Sequence, residues 1–196
     1  NNEIDKQLER ISALEYENKN QANELKKYEE IINNQVKENE KKISKMNDIL
    51  VINGPNLNMF GMREPEIYGA DTLADYEAKI DALCSELGKT CGFFQSNCEG
   101  ELVTVIQNAV RAGTEDAARA IVINAAAYTH TSIALRDALS LFLGPKIEVR
   151  VSNVMKREQF RHQSFISAVC DGIIVGLGVN SYLLAVRAAN DLLDQS

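Results

Sequence analysis

Five short runs rich in β-branched and other apolar residues, each followed by a stretch with helical periodicity, limit this chain more than any other feature. The runs are Ile49–Ile52, Cys91–Ser96, Ala120–Asn124, Lys146–Ser152 and Gly172–Leu177. Ile49-Leu50-Val51-Ile52 has no polar alternation, as expected of a strand covered on both faces. Between the runs, Leu73, Tyr76, Ile80, Leu83 and Leu87 step by three and four behind a capping Thr72, and Gly88 stops that helix. Residues 101–112 repeat the pattern with Leu102, Val105, Ile106 and Ala109 inward. A third helix is expected over 132–143, ended by Gly144-Pro145, and a last one over 179–193. Strands alternating with helices predict an α/β fold, a doubly wound parallel sheet of five strands in the order 2-1-3-4-5.

In such a sheet the loops leaving the carboxyl ends of the strands share one rim, where ligands bind. Residues 53–56, 96–99, 124–130 and 152–161 should meet there. The rim is polar and carries Arg63, Arg157, Arg161 and Arg150, which suits a small, oxygen-rich anion. Glycine-rich phosphate motifs are absent, which speaks against a nucleotide. The first loop, 53–69, has no periodicity but has Gly61 and Gly69, and reads as a lid over the site. A net charge of −7 argues against nucleic acid or an anionic membrane surface as partner. The four cysteines form no CxxC pair and only two histidines accompany them, so a zinc site is not expected. Scattered thiols suit a cytoplasmic location.

Residues 1–45 are a different kind of sequence, without Gly or Pro and rich in Glu, Lys, Asn and Gln. Ile4, Leu8, Ile11, Glu15, Asn18, Ala22, Leu25, Glu29, Ile32, Val36, Asn39, Ile43 and Met46 alternate at steps of four and three. Nine of these thirteen are apolar, which favours a coiled coil over a solvated single helix, with four polar core positions weakening it. The expected organisation is therefore a coiled-coil segment over 1–45, appended naturally or by engineering, which self-associates or meets a coil partner. A globular domain over 46–196 follows.

Several long motifs carry a family resemblance. Asn53-Gly54-Pro55-Asn56-Leu57-Asn58, then Gly61-Met62-Arg63-Glu64-Pro65-Glu66-Ile67-Tyr68-Gly69, open it. Gln95-Ser96-Asn97, Tyr128-Thr129-His130-Thr131-Ser132, Ile147-Glu148-Val149, Ser152-Asn153-Val154 and Phe160-Arg161-His162 follow in order, with Gly172–Gly176 and Tyr182–Ala185 closing it. Together they resemble type II 3-dehydroquinate dehydratase, over about residues 47–193. The resemblance implies a flavodoxin-like fold and loss of water from 3-dehydroquinate, a small cyclic hydroxy acid, to give 3-dehydroshikimate without metal or cofactor. It implies Tyr68 as the base, its phenol pushed down by Arg63 and Arg157, and Asn56 as the group facing the enolate. Asn124, His130 and Arg161 match residues that hold ring hydroxyls. The N–H groups of Val151 and Ser152 match the carboxylate cradle, and Asp137 a residue lent by a neighbouring subunit. A homo-oligomer built from trimers, a dodecamer, is implied as well.

One departure bears on the chemistry. In the family the fourth strand reads I-E-V-H, and its histidine protonates the leaving hydroxyl; here it reads Ile147-Glu148-Val149-Arg150. A guanidinium has no proton to give at useful pH. Glu148 and Arg150, on one face of a strand, are expected to pair as ions in place of a Glu–His dyad. Cys98 and Met155 also stand where His is common. The expectation is an enzyme of impaired activity, or a binding module or oligomeric scaffold with projecting coils. By spacing alone, Arg157 and Arg161 also fit an exposed helical face, and His162 a turn cap.

Overall fold

The structure, a computed structural model, describes residues 2–43, 46–62, 71–111, 113–114 and 116–195. Helix α1 spans Asn2–Ile43. Then come β1 (Asn47–Asn53), α2 (Leu73–Glu86), β2 (Cys91–Gln95), α3 (Glu99–Val110), β3 (Ala118–Asn124), α4 (Ile133–Leu141), β4 (Lys146–Arg150), β5 (Gly172–Val175) and α5 (Val179–Asp194). The chain divides into two compact units, Asn1–Ser44 and Lys45–Ser196. In the first, the heptad positions Leu8, Ile11, Leu25, Ile32 and Val36 are exposed along α1, as are Leu14, Tyr28 and Ile31 beside them. The side chains of Ile4, Glu15, Asn39 and Ile43 lie outside the described residues.

In the second unit the sheet is parallel, in the order β2-β1-β3-β4-β5. Successive side chains of a strand point to opposite faces, and β1 obeys this strictly. Ile49 and Val51 pack with Tyr76, Ile80 and Cys84 of α2 and with Tyr182, Ala185, Val186 and Ala189 of α5. Leu50 and Ile52 pack on the other face with Leu102, Val105 and Ile106 of α3 and Leu135 and Leu139 of α4. Each fully buried aliphatic side chain contributes about 1.5–3 kcal/mol, so β1 is the spine of both cores. Thr72 closes a capping box with Asp75 at the start of α2, and the Ser132 hydroxyl accepts from the N–H of Leu135 at the start of α4.

Helix α4 ends earlier than its sequence suggests. Phe142 turns out of the helix into the core, and the Lys146 ammonium donates to the carbonyls of Phe142 at 2.8 Å and Gly144 at 3.0 Å. A cation on the last carbonyls thus does what another turn of helix would have done. Strand β5 likewise stops at Val175, because Gly176 takes φ 91°. Among the described residues no helix is long and apolar enough to cross a membrane.

Candidate active site

The register brings Asn53, at the end of β1, beside Asn124, at the end of β3. Both side chains are buried, and Tyr182 of α5 reaches between them. Its hydroxyl donates to Asn53 Oδ1 at 2.6 Å and accepts from Asn124 Nδ2 at 2.9 Å. Burial raises the Tyr182 phenol well above its ordinary range, so it is a neutral tether. Asn124 Oδ1 accepts the N–H of Ala126 at 3.2 Å. Nothing in the sequence marks Tyr182 as a tether, because an aromatic hydroxyl at a helical core spacing carries no signal of what it will meet.

The first loop is pinned close to the third. The N–H of Gly54 donates to the Asn124 carbonyl at 2.8 Å, and a Cβ at Gly54 would stand 2.5 Å from the Ala125 carbonyl oxygen. Only glycine permits that approach. Asn56 then takes φ 66°, a left-handed conformation that Asn tolerates better than most residues, and its N–H donates to Asn97 Oδ1 at 2.8 Å. Tyr128 donates to the Asn97 carbonyl at 2.9 Å. Asn97 thereby ties the loops after β1, β2 and β3 into one rim.

A cleft opens on this rim, lined by Pro55, Asn56, Leu57, Phe60, Asn124, Ala126 and Ala127, and by Arg150, Val151, Ser152, Arg157 and Arg161. It thus gathers Asn56, Asn124, Arg150, Val151, Ser152 and Arg161 from the sequence-derived candidates. Arg157 and Arg161 both meet Glu158 through Nε, at 3.4 Å and 2.9 Å; a hydrogen bond from its own backbone N–H, then the bond from Arg161 and the two guanidinium charges, hold the Glu158 carboxyl below its ordinary range. His162 donates from Nε2 to the Arg157 carbonyl at 3.1 Å, the turn-capping role. Asp137 lies on the exposed face of α4 and does not line the cleft of its own chain. Cys98 precedes α3 and is exposed, as is Met155. Arg63 and Tyr68 lie outside the described residues.

The expected Glu148–Arg150 ion pair does not form among the described residues. Glu148, 2% exposed, turns towards the segment before β5, where its Oε2 accepts from the hydroxyls of Ser164, at 2.9 Å, and Ser167. Arg150 reaches sideways instead: Nη1 donates to the Ala126 carbonyl at 2.8 Å and Nη2 to His130 Nε2 at 2.9 Å. Residue 126 is itself in the left-handed region, at φ 51°, so the guanidinium braces a strained turn. Because guanidinium only donates, His130 Nε2 is the accepting nitrogen and the ring proton sits on Nδ1, which meets the Gln163 carbonyl at 2.6 Å. Partial burial, then the charges of Arg150 and Arg161, lower the His130 pKa and keep the ring neutral. His130 lines a second cavity with Glu148, Ser164 and Ser167 on the other side of Arg150, not the cleft. Among the described residues no cluster of His, Cys, Asp and Glu could hold a metal ion.

The family model described as Dehydroquinase class II matches residues 47–190. This chain is a class II dehydroquinase. The 3-dehydroquinate dehydratase of Prochlorococcus marinus (strain NATL1A) is 54% identical over 140 residues, covering 71% of this chain and 93% of that one. The crystal structure of the type II dehydroquinase from Butyrivibrio crossotus DSM 2876 is similar with a TM-score of 0.70 at 44% identity, over 74% of this chain and 98% of that one. The enzyme from Propionibacterium acnes aligns with a TM-score of 0.69 at 41% identity, over 74% and 97%. The relatives thus match the dehydroquinase unit, and helix α1 precedes it.

Proposed function

We propose that this dehydroquinase dehydrates 3-dehydroquinate to 3-dehydroshikimate through an enolate, and does so slowly. The reading rests on one observation: in a chain of this family, Asn56, Asn124, Val151, Ser152 and Arg161 line a single cleft, and Arg150 lines it too. In the proposed sequence, the Tyr68 phenolate takes the proton beside the ketone. Arg63 and Arg157 favour that phenolate, since a neighbouring cation stabilises the charged form of a phenol. Asn56 supports the group facing the enolate oxygen, and the N–H groups of Val151 and Ser152 cradle the substrate carboxylate. Arg161 and Asn124 hold ring hydroxyls; Asn124 keeps one amide proton and one lone pair beyond its bonds to Tyr182 and Ala126. Glu148 acts by orienting the Ser164–Ser167 segment beneath His130.

The slow step is departure of the hydroxyl. Arg150 stabilises negative charge but supplies no proton, and the loss of a general acid costs about 10²–10⁴-fold. Turnover is read from the growth of enone absorbance, in the unaltered chain and in Arg150→His, with circular dichroism verifying both folds. A marked rise in kcat for Arg150→His is expected; no rise in a folded variant refutes the assignment of residue 150. A second reading, a binding module or scaffold without turnover, is favoured by the engagement of Arg150 with Ala126 and His130, which fixes the guanidinium as a brace. That reading predicts ligand-induced stabilisation without product. We assign the exposed apolar stripe of α1 to coiled-coil self-association. The dehydroquinase unit would form trimers gathered into a dodecamer in the cytoplasm, with Asp137 reaching a neighbour's cleft. Sedimentation of the full chain tests the assembly.

A further inference from the structure

We propose that Asn97 is a positioning residue for the enolate step: it holds Asn56 in the backbone conformation that presents it to the cleft. The inference rests on the reading of Asn56 as the group that supports the enolate, and extends it to a residue that does not line the cleft. Among the described residues other than glycine, only Asn56 and Ala126 take positive φ, Asn56 at 66°. A residue in that region returns to negative φ unless its surroundings over-determine it. This loop has few means of doing so. Residue 55 is proline and has no N–H, so Gly54 and Asn56 carry the backbone donors of the turn. The Gly54 N–H goes to the Asn124 carbonyl at 2.8 Å, and the Asn56 N–H goes to Asn97 Oδ1 at 2.8 Å. On the far side the Asn56 carbonyl accepts the Met59 N–H at 3.2 Å, and Leu57 and Phe60 are buried. The Asn97 bond thus holds the peptide that leads into the strained residue.

Asn97 is itself fixed. Its carbonyl accepts the Tyr128 hydroxyl at 2.9 Å. The Gln95 amide donates to Asn97 Oδ1 and to the Gly54 carbonyl, each at 3.3 Å. The N–H of Cys98, next in the chain, donates to the Ser96 hydroxyl at 2.8 Å. A backbone N–H can only donate, so the atom of residue 97 that faces Asn56 must be the amide oxygen, and the Gln95 donor requires the same. Position 97 therefore needs an acceptor at that point, which aspartate supplies and alanine does not. The effect belongs to the rate and not to binding. A misplacement of about 1 Å at a group facing developing charge costs up to about 10²-fold. The ground-state ketone, with little charge on its oxygen, binds almost as before.

The test follows the proton beside the ketone of 3-dehydroquinate by nuclear magnetic resonance in heavy water, with the full chain over a range of substrate concentrations. The base takes that proton and leaves the enolate. The enolate then either takes up a deuteron at the same carbon or loses its hydroxyl as water, with the proton for it drawn from solvent. Loss of the signal above the protein-free rate counts both routes, so slow departure of the hydroxyl does not hide it. Asn97→Ala should slow this loss about 10–100-fold at saturation with little change in KM. Asn97→Asp should keep most of the rate. In an Asn56→Ala background, Asn97→Ala should add little, because the two residues act through one group. Asn97 is exposed, so these variants leave both cores intact, which circular dichroism verifies. An unslowed Asn97→Ala beside a slowed Asn56→Ala overturns this inference alone. So does a loss that is as large in the Asn56→Ala background, or one that aspartate does not rescue. An unslowed Asn56→Ala overturns the reading of Asn56 and this inference with it. No loss above the protein-free rate in the unaltered chain overturns the enolate reading itself, and the role of Asn97 falls with it.

Discussion

Replacing Tyr182 by Phe should weaken the dehydroquinase unit far more than the loss of one exposed hydroxyl would. The ring remains, still edge-on to Tyr76 at 5.8 Å, so packing changes little. What disappears is a hydroxyl at 2.6 Å from Asn53 Oδ1 and 2.9 Å from Asn124 Nδ2. Asn53 is 1% exposed and Asn124 3%, so water does not readily replace it. Each buried polar atom left without its partner costs about 1–3 kcal/mol. Two of them give about 2–4 kcal/mol after some relaxation, or a fall in Tm of roughly 5–15 °C for a unit of this size. Urea unfolding followed by far-ultraviolet circular dichroism, at one fixed protein concentration, measures it. The midpoint should fall with little change in slope. The pH profile adds a second readout. Burial raises the Tyr182 pKa, so as pH climbs the unfolded chain releases this proton first. The stability it confers is whole below the ordinary phenol range near pH ~10 and drains away above it; Tyr182→Phe removes that share of the alkaline decline. A loss below about 0.5 kcal/mol, the range of an ordinary surface change, would refute the claim that this hydroxyl ties β1 and β3 together beneath the cleft.

Other perturbations follow from the same geometry. Gly54→Ala drives a Cβ to 2.5 Å from the Ala125 carbonyl oxygen, and should cost about 1–3 kcal/mol as the rim loops separate; an unchanged urea midpoint would contradict it. Ala126→Gly should be neutral or stabilising by up to about 1 kcal/mol, since φ 51° strains alanine and not glycine, whereas a loss of that size would mean the turn relaxes without help. The His130 pKa is lowered, by burial first and by Arg150 and Arg161. The unfolded chain therefore binds the proton first as pH falls, and stability present above the ordinary histidine range declines below it. In His130→Gln that acid-side slope should flatten, which urea midpoints between pH 5 and 7.5 would reveal.

The fold was legible because its signals are local and repeated. Ile49–Ile52 without alternation, the three–four steps of Leu73 to Leu87, and glycines at the stops all follow from chain geometry, whatever the neighbours. Boundaries were less legible where a long-range contact decided them. Helix α4 ends at Leu141 because Phe142 finds core and Lys146 finds its carbonyls, and Gly144-Pro145 marks only the outer limit. Site membership was legible at the level of loops: strand ends in a parallel sheet must share a rim, and Asn56, Asn124, Ser152 and Arg161 did meet in one cleft.

Partner choice on that rim was not legible. Two residues spaced as Glu148 and Arg150 share a strand face, and the ion pair is the natural expectation. Yet charges go where desolvation is best compensated. Two serine hydroxyls from a segment some sixteen residues on satisfy the carboxylate, and a strained carbonyl with an imidazole satisfies the guanidinium. The amino-acid order by itself determined a five-stranded doubly wound sheet, its strand order, a separate heptad helix before it and an arginine at the end of β4. Tertiary structure alone decided that Tyr182 tethers two asparagines and that His130 is held neutral behind Arg150. Hydrophobic periodicity is written along the chain, whereas hydrogen-bond partners are selected by proximity in space.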